Sequence, residues 1–143
     1  MVDSINPTTF YLYDKDRNIT SQFGSETAVN VATDDDNYWQ FEHKDASVID
    51  AHYCTSKFHD MMKTRFNYIG IDGNSGAMDP IILSEKGLVN AFWTGENAIF
   101  GRGDCHYSPL TTLSIVGHEF THGVTQYNSN LIYNSESGAI NEA

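Results

Sequence analysis

Residues 111–127, which read TTLSIVGHEFTHGVTQY, carry the strongest structural pattern in the chain. On a helical wheel at about 100° per residue, His118 and His122 lie about 40° apart, so their rings stand side by side. The segment is therefore predicted to be an amphipathic helix with two histidines and Glu119 on one face. Its apolar residues fall on the opposite half, which is expected to face the core: Leu113, Val116, Phe120, Val124 and Tyr127.

The pentapeptide 118–122, with the sequence HEFTH, has the arrangement that a zinc ion needs. Neutral imidazoles bind zinc at about 2.0–2.1 Å, and a spacing of four residues brings two of them to one ion without bending the helix. Glu119 is offset from His118 by about 100°, so its carboxylate can reach a zinc-bound water and accept a proton from it. The alternative is a surface helix with two histidines and an acid, and the apolar opposite face argues against it.

A third zinc ligand is expected near the two histidines, because catalytic zinc sites hold three protein ligands and one water. Glu142 is the candidate, twenty residues after His122 in what reads as a further helix. No Gly, Pro or basic residue ends that helix before Ala143. The pattern therefore predicts that a longer protein continues past this point.

The remainder of the chain predicts one α+β domain, with a strand-rich N-terminal part packed on long helices. Short β-type runs at 10–13 and 30–33 are separated by polar turns, and Asp45 is placed to cap the first helix. The expected elements are strands within about 5–44 and 81–101 and helices at about 46–67, 111–127 and 136–143.

Composition excludes several classes of protein. A net charge of −11 argues against nucleic acid or an anionic membrane as a partner. No apolar run is long enough to span a bilayer, and no signal peptide precedes the first strand. The two cysteines, Cys54 and Cys105, do not make a disulfide framework, and both a single pair and two free thiols are compatible with the sequence.

Two longer motifs carry a family resemblance. The segment 117–125, GHEFTHGVT, followed by 136–143, ESGAINEA, resembles the thermolysin-like neutral metallopeptidases, and 90–95, NAFWTG, looks like their substrate-binding edge strand. The likeness covers roughly 46–143. It implies a zincin-like N-terminal domain in which Glu119 is the general base and zinc is held by His118, His122 and Glu142.

The resemblance also implies roles for residues around the metal. Asn141 matches the partner that orients a ligand histidine, and Tyr133 matches the tyrosine that helps to hold the oxyanion. Ile115 is expected to line the pocket for a bulky apolar residue just after the cut. The other substrate-binding residues that the resemblance implies lie on the edge strand, which can pair with an extended peptide: Asn90, Ala91 and Trp93.

The sequence departs from the family pattern in three ways, one of which is that the acid expected one turn after Glu142, to orient the first ligand histidine, lies beyond Ala143. The family's second, mostly helical domain is missing, so the fragment is expected to be weak or inactive alone. Ser114 stands where relatives have an aspartate of their paired calcium site, so calcium is not expected there. A separate calcium candidate is the loop at Asp34, Asp36 and Asn37, whose oxygen atoms are hard ligands, although a solvated acidic loop is the favoured explanation.

These patterns predict a zinc-dependent endopeptidase that hydrolyses peptide bonds through a zinc-bound water activated by Glu119. By resemblance, its parent is a secreted protein that acts on peptides or proteins, and its partner is the missing C-terminal domain. One alternative is a non-catalytic zinc-binding or interaction module, although structural zinc normally has four protein ligands. Another is a different metallohydrolase that shares the motif.

Overall fold

The computed structural model describes residues 9–25, 27–39, 46–85 and 87–143. Its three helices are α1 (Ala46–Phe66), α2 (Leu113–Asn128) and α3 (Ser135–Glu142). Helix α2 begins two residues later than the sequence predicted, after Thr112 in extended conformation. The predicted cap Asp45 lies outside the described residues. In the part of the chain that is described, no helix combines the length and the apolar character needed to cross a membrane.

Within the described ranges, nine short strands accompany the helices. They are β1 (Phe10–Tyr11), β2 (Tyr13–Asp14), β3 (Ile19–Thr20), β4 (Gln22–Ser25), β5 (Ala28–Val31), β6 (Thr33–Asp34), β7 (Pro80–Leu83), β8 (Ala91–Trp93) and β9 (Ala98–Gly101). Five of them form a mixed sheet in the order β5-β4-β7-β9-β8. Strands β4, β7 and β9 run parallel, whereas β5 and β8 are antiparallel to their neighbours. Strand β8 therefore forms one edge of the sheet, next to α2.

The N-terminal strands exchange partners at a three-way corner. The N–H of Leu12 donates to the carbonyl of Ala32, the N–H of Ala32 donates to Ser21, and the N–H of Ser21 donates to Leu12, at 2.9–3.0 Å. The predicted runs 10–13 and 30–33 are thus each divided at a corner residue. Ser21 is fully buried there, and its hydroxyl bonds to Nδ1 of His52 on α1 at 2.8 Å.

The core lies between the sheet and the two long helices. Phe120 of α2 is fully buried and stacks on Phe58 of α1, with ring centroids 6.2 Å apart. The predicted core face of α2 is correct in the middle of the helix but not at its ends. Leu113 is 53% exposed and Tyr127 is 55% exposed, because the buried part of α2 runs only from Val116 to Gly123. The α+β fold class predicted from the sequence is confirmed.

Both cysteines are free thiols in the structure. Cys54 is buried in α1, and burial raises the pKa of its thiol. Cys105 lies exposed in the loop between β9 and α2. Of the two possibilities that the sequence left open, the structure therefore has the unpaired one.

Candidate metal centre and cleft

Three side chains from α2 and α3 converge on one point. Nε2 of His118 lies 3.1 Å from Nε2 of His122 and 3.2 Å from Oε2 of Glu142. Nε2 of His122 lies 3.8 Å from Oε1 of Glu142. Ligands bound to a tetrahedral zinc ion at about 2.0–2.1 Å are about 3.3 Å from one another. Both the spacing and the donor types, two imidazoles and a carboxylate, therefore fit zinc.

The ring of His122 is held in one tautomer. Its Nδ1 lies 2.6 Å from Oδ1 of Asn141, and Nδ2 of Asn141 donates to the carbonyl of Leu131 at 3.2 Å. Because the second bond turns the amide oxygen toward the ring, Nδ1 carries the proton and donates it. Nε2 of His122 is left with a lone pair that points at the other two ligand atoms, which is what metal binding requires.

The turn between α2 and α3 brings Glu142 back toward the histidines. Asn130 and Ser135 adopt left-handed backbone conformations, with φ of 46° and 54°, which reverse the chain within a few residues. Gly138 then allows α3 to approach the turn, since a Cβ there would lie 3.2 Å from the carbonyl carbon of Tyr133. This sharp return places a carboxylate opposite two imidazoles that belong to another helix.

Glu119 lies beside the metal centre and is only 5% exposed. The backbone N–H of Trp93 on β8 lies near this carboxylate and favours its ionised form. Burial raises the pKa of Glu119, and the neighbouring His118 and His122 partly oppose that shift. A carboxylate with a raised pKa is a stronger base than an exposed one, so Glu119 is suited to accept a proton.

A cleft of about 790 Å³ opens over these groups. One wall is the edge strand, a second is the exposed face of α2, and the third is the turn with α3. The residues that line it are Asn90, Ala91, Phe92, Trp93, His118, Glu119, His122, Gln126, Asn130, Leu131, Ile132, Tyr133, Asn141 and Glu142. A groove with one strand edge, three candidate metal ligands and a buried carboxylate has the shape and the groups to bind an extended chain and act on it.

The edge strand has backbone groups free for such pairing. The carbonyl of Asn90 accepts from the N–H of Gly101 at 2.9 Å, so this residue bonds within the sheet. Alternation along an antiparallel strand then turns the N–H and C=O groups of Ala91 and Trp93 away from β9. Gly101 permits this close crossing, because a Cβ there would lie 2.9 Å from the carbonyl oxygen of Asn90.

Two residues have surroundings that the sequence did not indicate. The hydroxyl of Tyr133 donates to Oε1 of Glu142, and this bond raises the pKa of Tyr133 and lowers the pKa of Glu142. The oxyanion role of Tyr133 stays a prediction. Ile115 packs against the hydrophobic core and is not among the described residues that line the cleft. Its pocket role also stays a prediction.

The calcium candidate forms a compact acidic loop. Carboxylate oxygens of Asp34, Asp35 and Asp36 lie within 4.8 Å of one another. The backbone N–H of Tyr38 donates to Asp34 and Asp36 at 2.9 and 2.8 Å. Asn37 instead accepts a bond from the indole of Trp39 at 3.3 Å. These internal bonds explain the loop's shape without an ion, so calcium stays a prediction.

Sequence reasoning missed several residues of the cleft. Gln126 lies four residues after His122, so the helical period could have placed it on the same side of α2. No periodic signal marks the residues contributed by the turn between α2 and α3, because the turn is irregular. These are Asn130, Leu131 and Ile132.

Known proteins resemble this chain in sequence and in fold. The family model described as thermolysin metallopeptidase, catalytic domain, matches residues 2–126. A thermostable neutral protease of Geobacillus stearothermophilus is 39% identical over 113 residues, which cover 78% of this chain and 20% of that protein. A bacillolysin of Bacillus cereus is 33% identical over 147 residues, which cover 98% of this chain and 26% of that protein.

Among solved structures, the precursor of protealysin, a metalloproteinase from Serratia proteamaculans, superposes with a TM-score of 0.73. It is 24% identical, and the match covers 87% of this chain and 40% of that chain, so this likeness concerns the fold. The chain spans only a fifth to about a quarter of the length of the two relatives above. Because the family model matches most of the sequence, the chain belongs to the thermolysin metallopeptidase family.

Proposed function

We propose that this chain is the zinc-binding part of an endopeptidase active site, with His118, His122 and Glu142 as the metal ligands. The observation that carries the proposal is the convergence of three candidate ligand atoms, 3.1–3.8 Å apart, beside a buried carboxylate. Two imidazoles and one carboxylate are a ligand set that leaves one position on a catalytic zinc ion open for water. When bound there, zinc supplies a Lewis acid that polarises a carbonyl and lowers the pKa of water.

Glu119 is the proposed general base and general acid. Its carboxylate accepts one proton from the attacking water as the new C–O bond forms at the scissile carbonyl. The same proton then passes to the leaving nitrogen as the C–N bond breaks, so a free amine and a carboxylic acid, which keeps the second proton of the water, result. Two structural features support the role: burial raises the pKa of Glu119, and its carboxylate lies in the same cleft as His118 and His122.

The substrate is proposed to bind as an extended peptide along β8. The outward N–H and C=O groups of Ala91 can pair with its backbone, while the side chains of Asn90 and Trp93 contact it from the same wall. Backbone pairing of this kind accepts many sequences. Selectivity then depends on the apolar part of the cleft, for which Ile115 is one proposed contributor. Tyr133 is proposed to donate to the developing oxyanion once its hydroxyl leaves Glu142.

We also propose that a further domain of the same polypeptide covers the open side of the cleft. Support comes from the share of its relatives that this chain spans and from apolar residues exposed along this side: Ile132 is 74% exposed and Ile140 is 63% exposed. The 143 residues alone should then hydrolyse peptides weakly or not at all. Secretion of the parent protein is proposed from the family resemblance.

Metal analysis tests the proposed site. The chain is equilibrated with limiting zinc, dialysed and assayed, and about one ion per chain is expected. Glu142→Ala should lose most of the bound zinc, because two ligands and two waters bind it far more weakly. Glu136→Ala is the matched control, since this acid lies on the same helix but does not line the cleft. Unchanged zinc in Glu142→Ala would refute the ligand assignment.

Hydrolysis tests the role of Glu119. The assay uses a form of the polypeptide that includes the proposed covering domain and cleaves a peptide. In that form, Glu119→Gln should keep its zinc and lose activity by several orders of magnitude. A zinc coordination sphere with four protein ligands, measured by X-ray absorption, would instead favour the non-catalytic module. Glu119-dependent cleavage by the 143 residues alone would contradict the need for a covering domain.

A further inference from the structure

Two walls of the cleft, α2 and the edge strand, are joined at one end by the amide of Gln126. Its Oε1 accepts a hydrogen bond from the indole Nε1 of Trp93 at 2.9 Å. Its Nε2 donates to the carbonyl oxygen of Gly95 at 3.1 Å. Trp93 is the last residue of β8, and Gly95 lies in the turn that follows it. A carboxamide offers both an acceptor and a donor, so this single side chain makes both bonds at once.

The turn and the ring packing of Trp93 extend the effect of these two bonds to the strand. The backbone N–H of Thr94 donates to the carbonyl of Asn97 at 2.9 Å, and the N–H of Asn97 donates to Oγ1 of Thr94 at 2.9 Å. The ring of Trp93 packs on Phe120 of α2, with ring centroids 6.3 Å apart. The end of β8 is therefore held on α2 by packing and by the hydrogen bonds of one exposed side chain.

Strand β8 depends on such contacts because it lies at the edge of the sheet and has β9 as its one neighbouring strand there. Its outer side carries the N–H and C=O groups of Ala91 and Trp93, which are free to pair with a peptide. A strand that is bonded on one side only opens locally more easily than a central strand. Contacts with α2 therefore determine how well the end of β8 is ordered before a peptide binds.

We propose that Gln126 is a positioning residue for peptide binding, which keeps the Trp93 end of β8 ordered on the metal-binding helix. This inference rests on the proposed endopeptidase function. Without the amide, a peptide that pairs with β8 must first order the strand end, and the free energy of that ordering is subtracted from its affinity. The expected loss is about 10-fold in affinity, which corresponds to one or two hydrogen bonds of exposed groups.

Indole hydrogen exchange, measured by NMR on the zinc-loaded chain, tests the contact without any hydrolysis. The chain has two tryptophans, and Trp39→Phe identifies the signal of Trp93. In Gln126→Ala, the indole N–H of Trp93 should exchange about 10-fold faster, because its acceptor is lost. Gln126→Glu keeps an acceptor and should stay near the parent rate. Asn128→Ala is the matched control, because this amide on the same helix bonds to Tyr68 instead.

Kinetics in the peptide-cleaving form of the polypeptide then test the effect on binding. Gln126→Ala should raise KM about 10-fold, leave kcat within about twofold and leave the zinc content unchanged. This is the pattern of a lost interaction that favours the bound substrate and the transition state equally. Gln126→Glu, which has no donor for Gly95, should have an intermediate KM, and Asn128→Ala should have the KM of the parent protein.

Unchanged indole exchange in Gln126→Ala, or an unchanged KM despite faster exchange, overturns the proposal. A lower kcat with the parental KM also overturns it, because the amide would then act on the chemical step. Failure of the endopeptidase function is distinguishable from these results, since it shows as zinc-loaded parent protein without Glu119-dependent cleavage.

Discussion

The N-terminal corner and the metal centre bring distant residues together by different means. At the corner, Leu12, Ser21 and Ala32 are joined by backbone bonds among strands of two to four residues. At the metal centre, two helices present side chains to one point across an irregular turn. Backbone pairing tolerates many side chains, whereas the metal centre requires particular ones. The comparison indicates that substitutions at the metal centre should change function, and those at the corner should change stability.

The largest effect is expected in the core that supports the metal-binding helix. Phe120→Ala should lower the free energy of unfolding by about 3–5 kcal/mol, because a large, fully buried ring is lost. Leu113→Ala on the same helix should change it by less than about 0.5 kcal/mol, because Leu113 is exposed. Urea unfolding measures both, and Phe120→Leu provides a milder variant if the alanine form does not fold. Equal losses at both positions would show that the helix packs differently.

An intermediate effect is expected at Asn141, which touches no metal ligand atom directly but orients His122. Asn141→Ala should weaken zinc binding by about 10–100-fold, because Nδ1 of His122 loses its acceptor. Asn141→Asp keeps an acceptor and should retain most of the affinity. Competition with a chromophoric chelator measures both constants. Equal affinities for Asn141→Ala and the parent protein would mean that the ring needs no such support.

The two regions also differ in how far the sequence predicts them. The two histidines and Glu119 are set by the helical period, so their shared face follows from spacing alone. Glu142 and Asn141 were predicted from the resemblance of the motif 136–143, and the structure places both beside His122. Gln126 was missed, because its partners Trp93 and Gly95 lie about thirty residues earlier in the chain.

The corner was beyond local prediction for a different reason. Continuous strands were expected at 10–13 and 30–33, since β-type side chains run through both. Leu12 interrupts its run because the partner strand changes there: its N–H donates to Ala32 in the register of β1 with β6, and its carbonyl accepts from Ser21 in the register of β2 with β3. Which partner a backbone group selects depends on distant segments, and no side-chain pattern records it. The helical-wheel prediction that Leu113 and Tyr127 face the core was wrong for a related reason. A wheel shows which side of a helix is apolar, but it does not show how far along the helix burial extends.

The smallest effect is expected from His52, which bonds to Ser21 at the corner. Burial lowers the pKa of His52 below its usual value of 6.5, with Asp14 opposing the shift and Arg17 adding to it. The folded state therefore binds fewer protons than the unfolded chain, so stability increases with pH in this window. The contribution is complete above about pH 6.5 and is lost as pH falls through the pKa of the folded state.

The difference between the parent protein and His52→Asn isolates this contribution, because every other titratable group is common to both proteins. Urea unfolding in the presence of a chelator should show a stability difference that shrinks as pH decreases from 7 to 5. Zinc affinity at pH 7 should be the same in both proteins, since the corner lies on strands and a helix that supply none of the three candidate zinc ligands. A stability difference that is flat across this range would mean that His52 titrates alike in both states. A change in zinc affinity would instead show that the corner and the metal centre are energetically coupled. We expect them to be independent, because one is held by backbone pairing and the other by converging side chains.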